Sequence, residues 1–374
     1  MSIGTDGKLS RGFSLYLDLV RVSASLAVVL YHASFEENGG DWFHFGTIGP
    51  DAVTVFFVLS GLVIAYVVNT KENNLQLYIS SRLARLWSVL IPALALTYLI
   101  NLVGAGINPV PHWIVPGGSA WQLLPSALFV NELWFHSVTP LSDIPVWSIG
   151  FEFWYYVFFG AIIFTPGNWR YIAVPIVALI VGPRILLLLP IWYFGVVVYQ
   201  LGRRRLVHGM AAWTCFVVPM AIISSMMLVH WNKAMIANGA KLIGADPPWG
   251  DWIWCGDWLW AYVVGLSTAV HFYGAWCLND RIENVLIRFR SNIEFAAGLT
   301  LSIYLFHFPL MTMASAVLNQ WPHGPARTMV TIVATVVCCA VLGLIFERQR
   351  YPLRSLIMRA IKPLVHTKGW EARA

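Results

Sequence analysis

Apolar runs of about twenty residues recur along this chain, and twenty residues of helix rise about 30 Å, the thickness of a bilayer's hydrocarbon core. They lie near 13–33, 50–69, 85–103, 146–164, 171–182, 185–201, 211–230, 258–278, 295–318 and 328–347. With 58% hydrophobic and only 11% charged residues, the chain falls well short of the roughly 25% charge of a soluble domain. The expected fold is therefore all-α and integral to the membrane, a polytopic bundle of about ten transmembrane helices. It is read as one membrane-embedded domain over 1–374, with tails at about 1–12 and 350–374. The fifth run is short, and a single span from 171 to 201 would be too long and would carry Arg184 at its centre. Gly182, Pro183 and Arg184 are accordingly expected to form a tight turn.

Charge distribution orients the bundle. With the N-terminus inside, nineteen Lys and Arg fall on inner segments, four (Arg184, Lys233, Lys241, Arg327) fall outside, and Arg21 lies within a span. The positive-inside rule then predicts a multi-pass protein of the inner (plasma) membrane with both termini cytoplasmic. It also accounts for the net charge of +6 without nucleic acid, because the basic residues make no patch interleaved with aromatics. The first run is read as a span, since no small-residue cleavage site followed by a soluble mature protein comes after it. The five cysteines (Cys215, Cys255, Cys277, Cys338, Cys339) show neither metal-ligand spacing nor a disulfide framework. Two long outer loops, 104–145 and 231–257, are rich in Trp; most of these are expected to anchor at the membrane interface, and a carbohydrate-stacking surface is the alternative.

Polar residues inside spans are expensive and usually mark a pathway or a site. The first span holds four, Asp18, Arg21, Ser25 and His32, which fall within about 60° of one another at 100° per residue. That stripe must face protein. It reads either as half of an active site or as an Asp18–Arg21 pair that stitches helices together, with His32 in a wet interface. FFVLSG at 56–61 places Ser60 and Gly61 where a neighbouring helix or a ligand can approach the backbone. Arg82 and Arg85 sit one turn apart at the expected start of the third span; they suit the phosphates of a nucleotide-like donor, lipid headgroups or simple topology. In PVWSIGFEFWYY at 145–156, Ser148, Glu152, Tyr155 and Tyr156 share a face. A carboxylate among aromatics calls for a cationic partner, and His32 and Arg21 are the candidates. LSIYLFHFPL at 301–310 puts Tyr304 and His307 mid-span, where a lone His serves either as a helix-to-helix hydrogen bond or as a base.

Taken together, Arg21-x10-His32, FFVLSG, Ser81-Arg82-x-x-Arg85, Trp147-Ser148-x-x-x-Glu152 and Ser302-x-Tyr304-x-x-His307-x-Pro309 resemble the membrane-bound acyltransferase-3 family, bacterial integral-membrane O-acyltransferases that modify sugars. The motifs occur in the family's order, ending in Phe346-Glu347-Arg348 and Pro352. Many relatives carry an appended hydrolase-like domain, and its lack after Arg354 makes a stand-alone enzyme the expectation. The resemblance implies O-acyl transfer from acyl-coenzyme A, most simply acetyl-coenzyme A, to a hydroxyl of a cell-surface or exported carbohydrate or glycolipid. His32 is then the expected base, with Glu152 orienting or charge-balancing it and His307 the second choice for the base. Arg21, Arg82, Arg85 and Ser60 are the expected donor-binding residues. No metal is called for, because a thioester is already activated; besides donor and acceptor, membrane lipid is the expected partner. The rival reading is a transporter or flippase using the same buried ions as a relay, against which no inverted repeat is visible.

Overall fold

Ser10 begins the first helix: its Oγ accepts the amide of Phe13 at 3.3 Å, satisfying one of the donors that a helix start leaves unpaired. The computed structural model describes residues 9–365 apart from 39, 41, 45, 108, 109, 111 and 246–249. Its helices are α1 Arg11–Ala33, α2 Ile48–Thr70, α3 Leu75–Gly104, the single turn α4 Leu124–Ala127, α5 Trp147–Phe164, α6 Arg170–Val181, α7 Pro183–Arg204, α8 Gly209–Leu228, α9 Trp231–Leu242, α10 Trp258–Cys277, α11 Asn279–Leu286, α12 Arg290–Ala297, α13 Thr300–Val317, α14 Pro325–Phe346 and α15 Arg350–Val365. Eight helices among the described residues are long and apolar enough to cross a membrane. The pair formed by α10 and the segment Asn279–Ala297, bent by 82°, is either a broken ninth span or a re-entrant loop. The protein is an all-α polytopic membrane protein.

The α1 helix lies at the middle, packed against α2, α11, α12, α13 and α14, and α2 in turn packs most extensively on α7. That last seam depends on glycine. A Cβ on Gly61 would stand 1.9 Å from the Trp192 carbonyl oxygen, and one on Gly195 would stand 1.9 Å from that of Val58. The two backbones therefore touch, as small residues permit in membrane helices. The approach expected at Ser60-Gly61 is thus made by a helix at Gly61, which leaves Ser60 free to face inward.

Several boundaries differ from the sequence reading. The third span starts at Leu75 rather than 85, because Asn74 Oδ1 accepts the Leu77 amide at 2.8 Å and caps the helix there. Arg82 and Arg85 therefore lie inside α3, two turns or more from its start. The ninth span starts at Thr300 rather than 295, since 290–297 belongs to the separate α12. The fifth run forms α6, twelve residues long and so about 18 Å, too short to cross on its own. Residues 350–365, expected as tail, form α15, which packs along α3, where Gln76 Nε2 donates to the Met358 carbonyl at 2.8 Å. The rest of the two tails, 1–8 and 366–374, lies outside the described residues.

The turn at Gly182 is present, with φ at +77°, a conformation glycine adopts without cost. Arg184 is not exposed at that turn. It is 0% exposed and pairs with Glu132 at 3.3 Å. Its guanidinium also donates to the carbonyls of Trp134 at 2.6 Å and His136 at 2.5 Å. The reason is tertiary: the loop of 129–143 folds over the α6–α7 turn, where Trp134 donates its amide to the Val181 carbonyl at 2.9 Å.

Candidate active site

Two cavities lie one above the other along α1. The lower one, of about 60 Å³, is lined by Arg21, Ser60, Arg85, Glu152, Tyr156 and Tyr304 among others. The upper one, of about 460 Å³, is lined by Tyr31, His32, Trp147, Trp254, Asp257 and Tyr304 among others. Val53, Phe57 and Tyr304 line both, and so form the wall between them. Tyr304 is held in that wall by hydrogen bonds to Ser148 Oγ at 2.7 Å and the Pro145 carbonyl at 3.2 Å.

In the lower cavity the Glu152 carboxylate accepts hydrogen bonds from Ser60 Oγ at 2.8 Å and from the Tyr156 hydroxyl. Ser60 itself accepts from Trp192 Nε1 at 3.2 Å. Arg21 donates to Asp18 at 3.1 Å within α1; the polar stripe of that helix faces protein, since Ser25 and His32 are buried and Arg21 lines the cavity. Arg85 stands among the carboxylates of Glu152, Glu347 and Asp18. The third expected donor-binding arginine is elsewhere: Arg82 is buried, pairs with Glu72 at 2.8 Å and lies over the rings of Tyr78 and Tyr156. Its guanidinium is thus occupied by the protein itself, whereas Arg21 and Arg85 reach the cavity.

In the upper part, His32 Nδ1 and His307 Nε2 are 2.9 Å apart. His307 is 0% exposed, and its Nδ1 faces the carbonyls of Tyr304 at 2.8 Å and Ile303 at 3.1 Å. Carbonyl oxygens only accept, so the neutral ring carries its proton on Nδ1 and its Nε2 is an acceptor. His32 must then donate from Nδ1, its ring also hydrogen-bonds the Val28 backbone, and the neutral ring's Nε2 is left unprotonated on a residue that lines the upper cavity. A base held in one tautomer by a second group is the arrangement acid–base catalysis requires.

The carboxylate expected to orient His32 is not the group that does so. Ser148 is bonded to Tyr304, and from that common level the two helices run in opposite directions. Glu152 lies about 6 Å below, one turn along α5, and His307 about 4.5 Å above, three residues along α13. Glu152 therefore belongs to the arginine level, and an imidazole takes the place beside His32. Sequence reasoning also missed Trp254, Asp257, Glu132 and the buried role of Arg184. Each sits in or beside a loop with no periodicity to reveal a buried face, so no local signal was there to find.

The loop tryptophans divide as the geometry demands. Trp121 is 66% exposed and Trp231 63% exposed, suiting an interface, whereas Trp113 packs on Phe308 with ring centroids 5.3 Å apart and Trp254 lines the upper cavity.

No solved structure matches this chain. Among curated proteins it is 30% identical to the acyltransferase MdmB of Streptomyces mycarofaciens over 148 residues, 37% of this chain and 36% of that one. It is 28% identical to the peptidoglycan O-acetyltransferase OatA of Listeria monocytogenes over 174 residues, 43% of this chain and 26% of that one. It is also 28% identical to the exopolysaccharide production protein ExoZ of Rhizobium meliloti over 149 residues, 38% of this chain and 41% of that one. The matched segments thus span well under half the length of these relatives. A family model described as an acyltransferase domain, Acyl_transf_3, matches residues 14–344. That stretch runs from the start of α1 into α14 and takes in both cavities, so the chain belongs to the acyltransferase-3 family.

Proposed function

We propose that this protein transfers an acyl group, most simply acetyl from acetyl-coenzyme A, to a hydroxyl of a carbohydrate. The observation that carries the reading is the separation of two chemistries on one helix. Arg21 lines the lower cavity and His32 the upper one, about 16 Å apart along α1. A donor with its phosphates near Arg21 and Arg85 would extend its thioester toward His32. His32 Nε2 takes the acceptor's hydroxyl proton as the oxygen bonds to the thioester carbonyl; the carbon–sulfur bond then breaks, and the leaving thiolate recovers the proton. The names of OatA and ExoZ support a carbohydrate acceptor.

In this reading the donor's nucleotide sits below the lower cavity and the acyl-bearing arm passes Tyr304, which lines both cavities. Radiolabelled acetyl-coenzyme A tests the reaction directly: purified protein is expected to hydrolyse it slowly and to label a glycan acceptor. A transporter would do neither.

On the donor side, Arg21→Ala is expected to leave a folded protein that binds coenzyme A more weakly by about 2–5 kcal/mol, the usual cost of truncating one partner of a desolvated charge pair. Arg21→Lys recovers only part, because a point charge cannot make a bidentate phosphate contact. Equilibrium binding of labelled coenzyme A measures both. Unchanged affinity in the alanine variant would move the donor phosphates to Arg85 alone.

The basic residues favour an inner-membrane protein with its N-terminus, α15 and the lower cavity on the cytoplasmic side. With Cys215, Cys277 and Cys338 replaced, a cysteine at Ser119 should react with an impermeant maleimide in intact cells, and one at Leu206 only after permeabilisation. The opposite pattern inverts the orientation.

A further inference from the structure

Asp257 is a carboxylate in the wall of the upper cavity with no use inside the protein. It stands at the N-cap of α10, yet its side chain makes no capping bond to the helix, where its backbone carbonyl accepts the Ala261 amide at 3.0 Å, and its carboxyl is met by its own backbone amide alone. Among the described residues no Lys or Arg pairs with it. Its acidic neighbour is differently placed: Asp51 accepts Thr47 Oγ at 2.7 Å and Trp260 Nε1 at 2.8 Å. Burial pushes the Asp257 carboxyl up to about 6, so at neutral pH it is still an anion and a strong acceptor.

Beside it the cavity wall carries two indoles, Trp147 and Trp254, stacked with centroids 5.2 Å apart and planes 2° from parallel. Trp254 is held there at φ +70°, a region bulky residues rarely enter and one that concentrates at functional sites. Its Nε1 donates to Ser137 Oγ at 3.2 Å, and Ser137 donates to Glu132 at 3.0 Å. His32 lines the same cavity.

We infer that Asp257 and the Trp147–Trp254 pair form the acceptor-recognition surface of the upper cavity, and that its ligand is a pyranose. A sugar ring has an apolar C–H face, which suits an indole, and a hydroxyl edge, whose donors suit a carboxylate that no other side chain engages. Asp257 accepts from hydroxyls beside the one deprotonated by His32, and so selects which hydroxyl is acylated. This assignment rests on the acyl-transfer reading above, but recognition of the sugar needs no donor and can be measured without it.

The test is saturation-transfer NMR on purified protein in lipid nanodiscs with methyl glucoside, methyl galactoside and methyl rhamnoside as probes. At least one glycoside is expected to bind the wild type. Asp257→Asn should weaken that binding about tenfold or more, since a hydrogen bond to a charged group is lost. The Asp257 side chain makes no capping bond and Asn is its isostere, so the variant should fold, and its unchanged coenzyme A affinity checks this. Trp254→Ala should weaken the same glycoside, with Trp254→Phe intermediate. Equal glycoside binding in the wild type and Asp257→Asn, or no binding of any probe by the wild type, overturns the inference. Turnover of labelled acetyl-coenzyme A in the same preparation separates the two failures: if it persists, only the recognition surface is wrong, and if it is absent, the acyl-transfer reading falls as well.

Discussion

His32→Ala is expected to abolish acyl transfer while coenzyme A still binds, with a loss of about 10²–10⁴ in rate, the usual contribution of a general base. The expectation follows from the chain of hydrogen bonds behind the ring. The Tyr304 and Ile303 carbonyls fix the proton of His307 on Nδ1, His307 Nε2 accepts from His32 Nδ1 at 2.9 Å, and His32 Nε2 is left as the open base. His307 is completely buried, so in this proposal it acts through His32 as a positioning residue. His307→Ala should lower the rate by freeing His32 to adopt the wrong tautomer, and His307→Gln, whose amide oxygen can still accept from Nδ1, should restore part of it. His32→Ala and the double variant should be equally inactive, because residues working as one unit are not additive. Single-turnover transfer from labelled acetyl-coenzyme A reads all four variants. Near-normal transfer in His32→Ala, with His307→Ala dead, would make His307 the base.

Arg184→Ala should be the most destabilising single change, by about 3–5 kcal/mol, because it leaves the buried Glu132 carboxylate without its cation. Glu132 is 1% exposed and Arg184 is 0% exposed, so water cannot take over. Replacing both, as Arg184→Met with Glu132→Leu, should recover only the part due to the unpaired charge, since the carbonyls of Trp134 and His136 still lose their donor. Thermal unfolding in a mild detergent measures this, and a midpoint unchanged in Arg184→Ala would rule the anchor out. The consequence reaches the site. Glu132 holds Ser137, Ser137 holds Trp254, and Trp254 lines the upper cavity, so the single variant should also lose glycoside binding.

The spans were legible because a bilayer imposes one length and one polarity on whatever crosses it. The polar stripe of α1 was legible for the same reason. Asp18, Arg21, Ser25 and His32 stand out only against an apolar background, and helical geometry alone brings them to one face. Ser60, Glu152, Tyr304 and His307 were found in the same way, each by a polar atom interrupting an apolar run. The turn at Gly182 could be read from length.

Which polar group meets which was decided between helices. Glu152 and His32 each call for a partner, but α5 and α13 run past one another in opposite directions from the Ser148–Tyr304 contact, which puts the carboxylate with the arginines and an imidazole with His32. Arg82 and Arg85, alike in sequence, part company because Glu72 folds back on Arg82 alone. Asp257 and Trp254 come from a stretch whose sequence has no period to show a buried face; Ser137, in the segment 129–143 that packs over the α6–α7 turn, holds Trp254, and the start of α10 places Asp257. The sequence by itself determined the membrane fold and the chemical types at its centre, because the solvent and the helix set those locally. The tertiary structure alone decided the pairing, because a hydrogen bond needs a level and a direction that helices acquire only against one another.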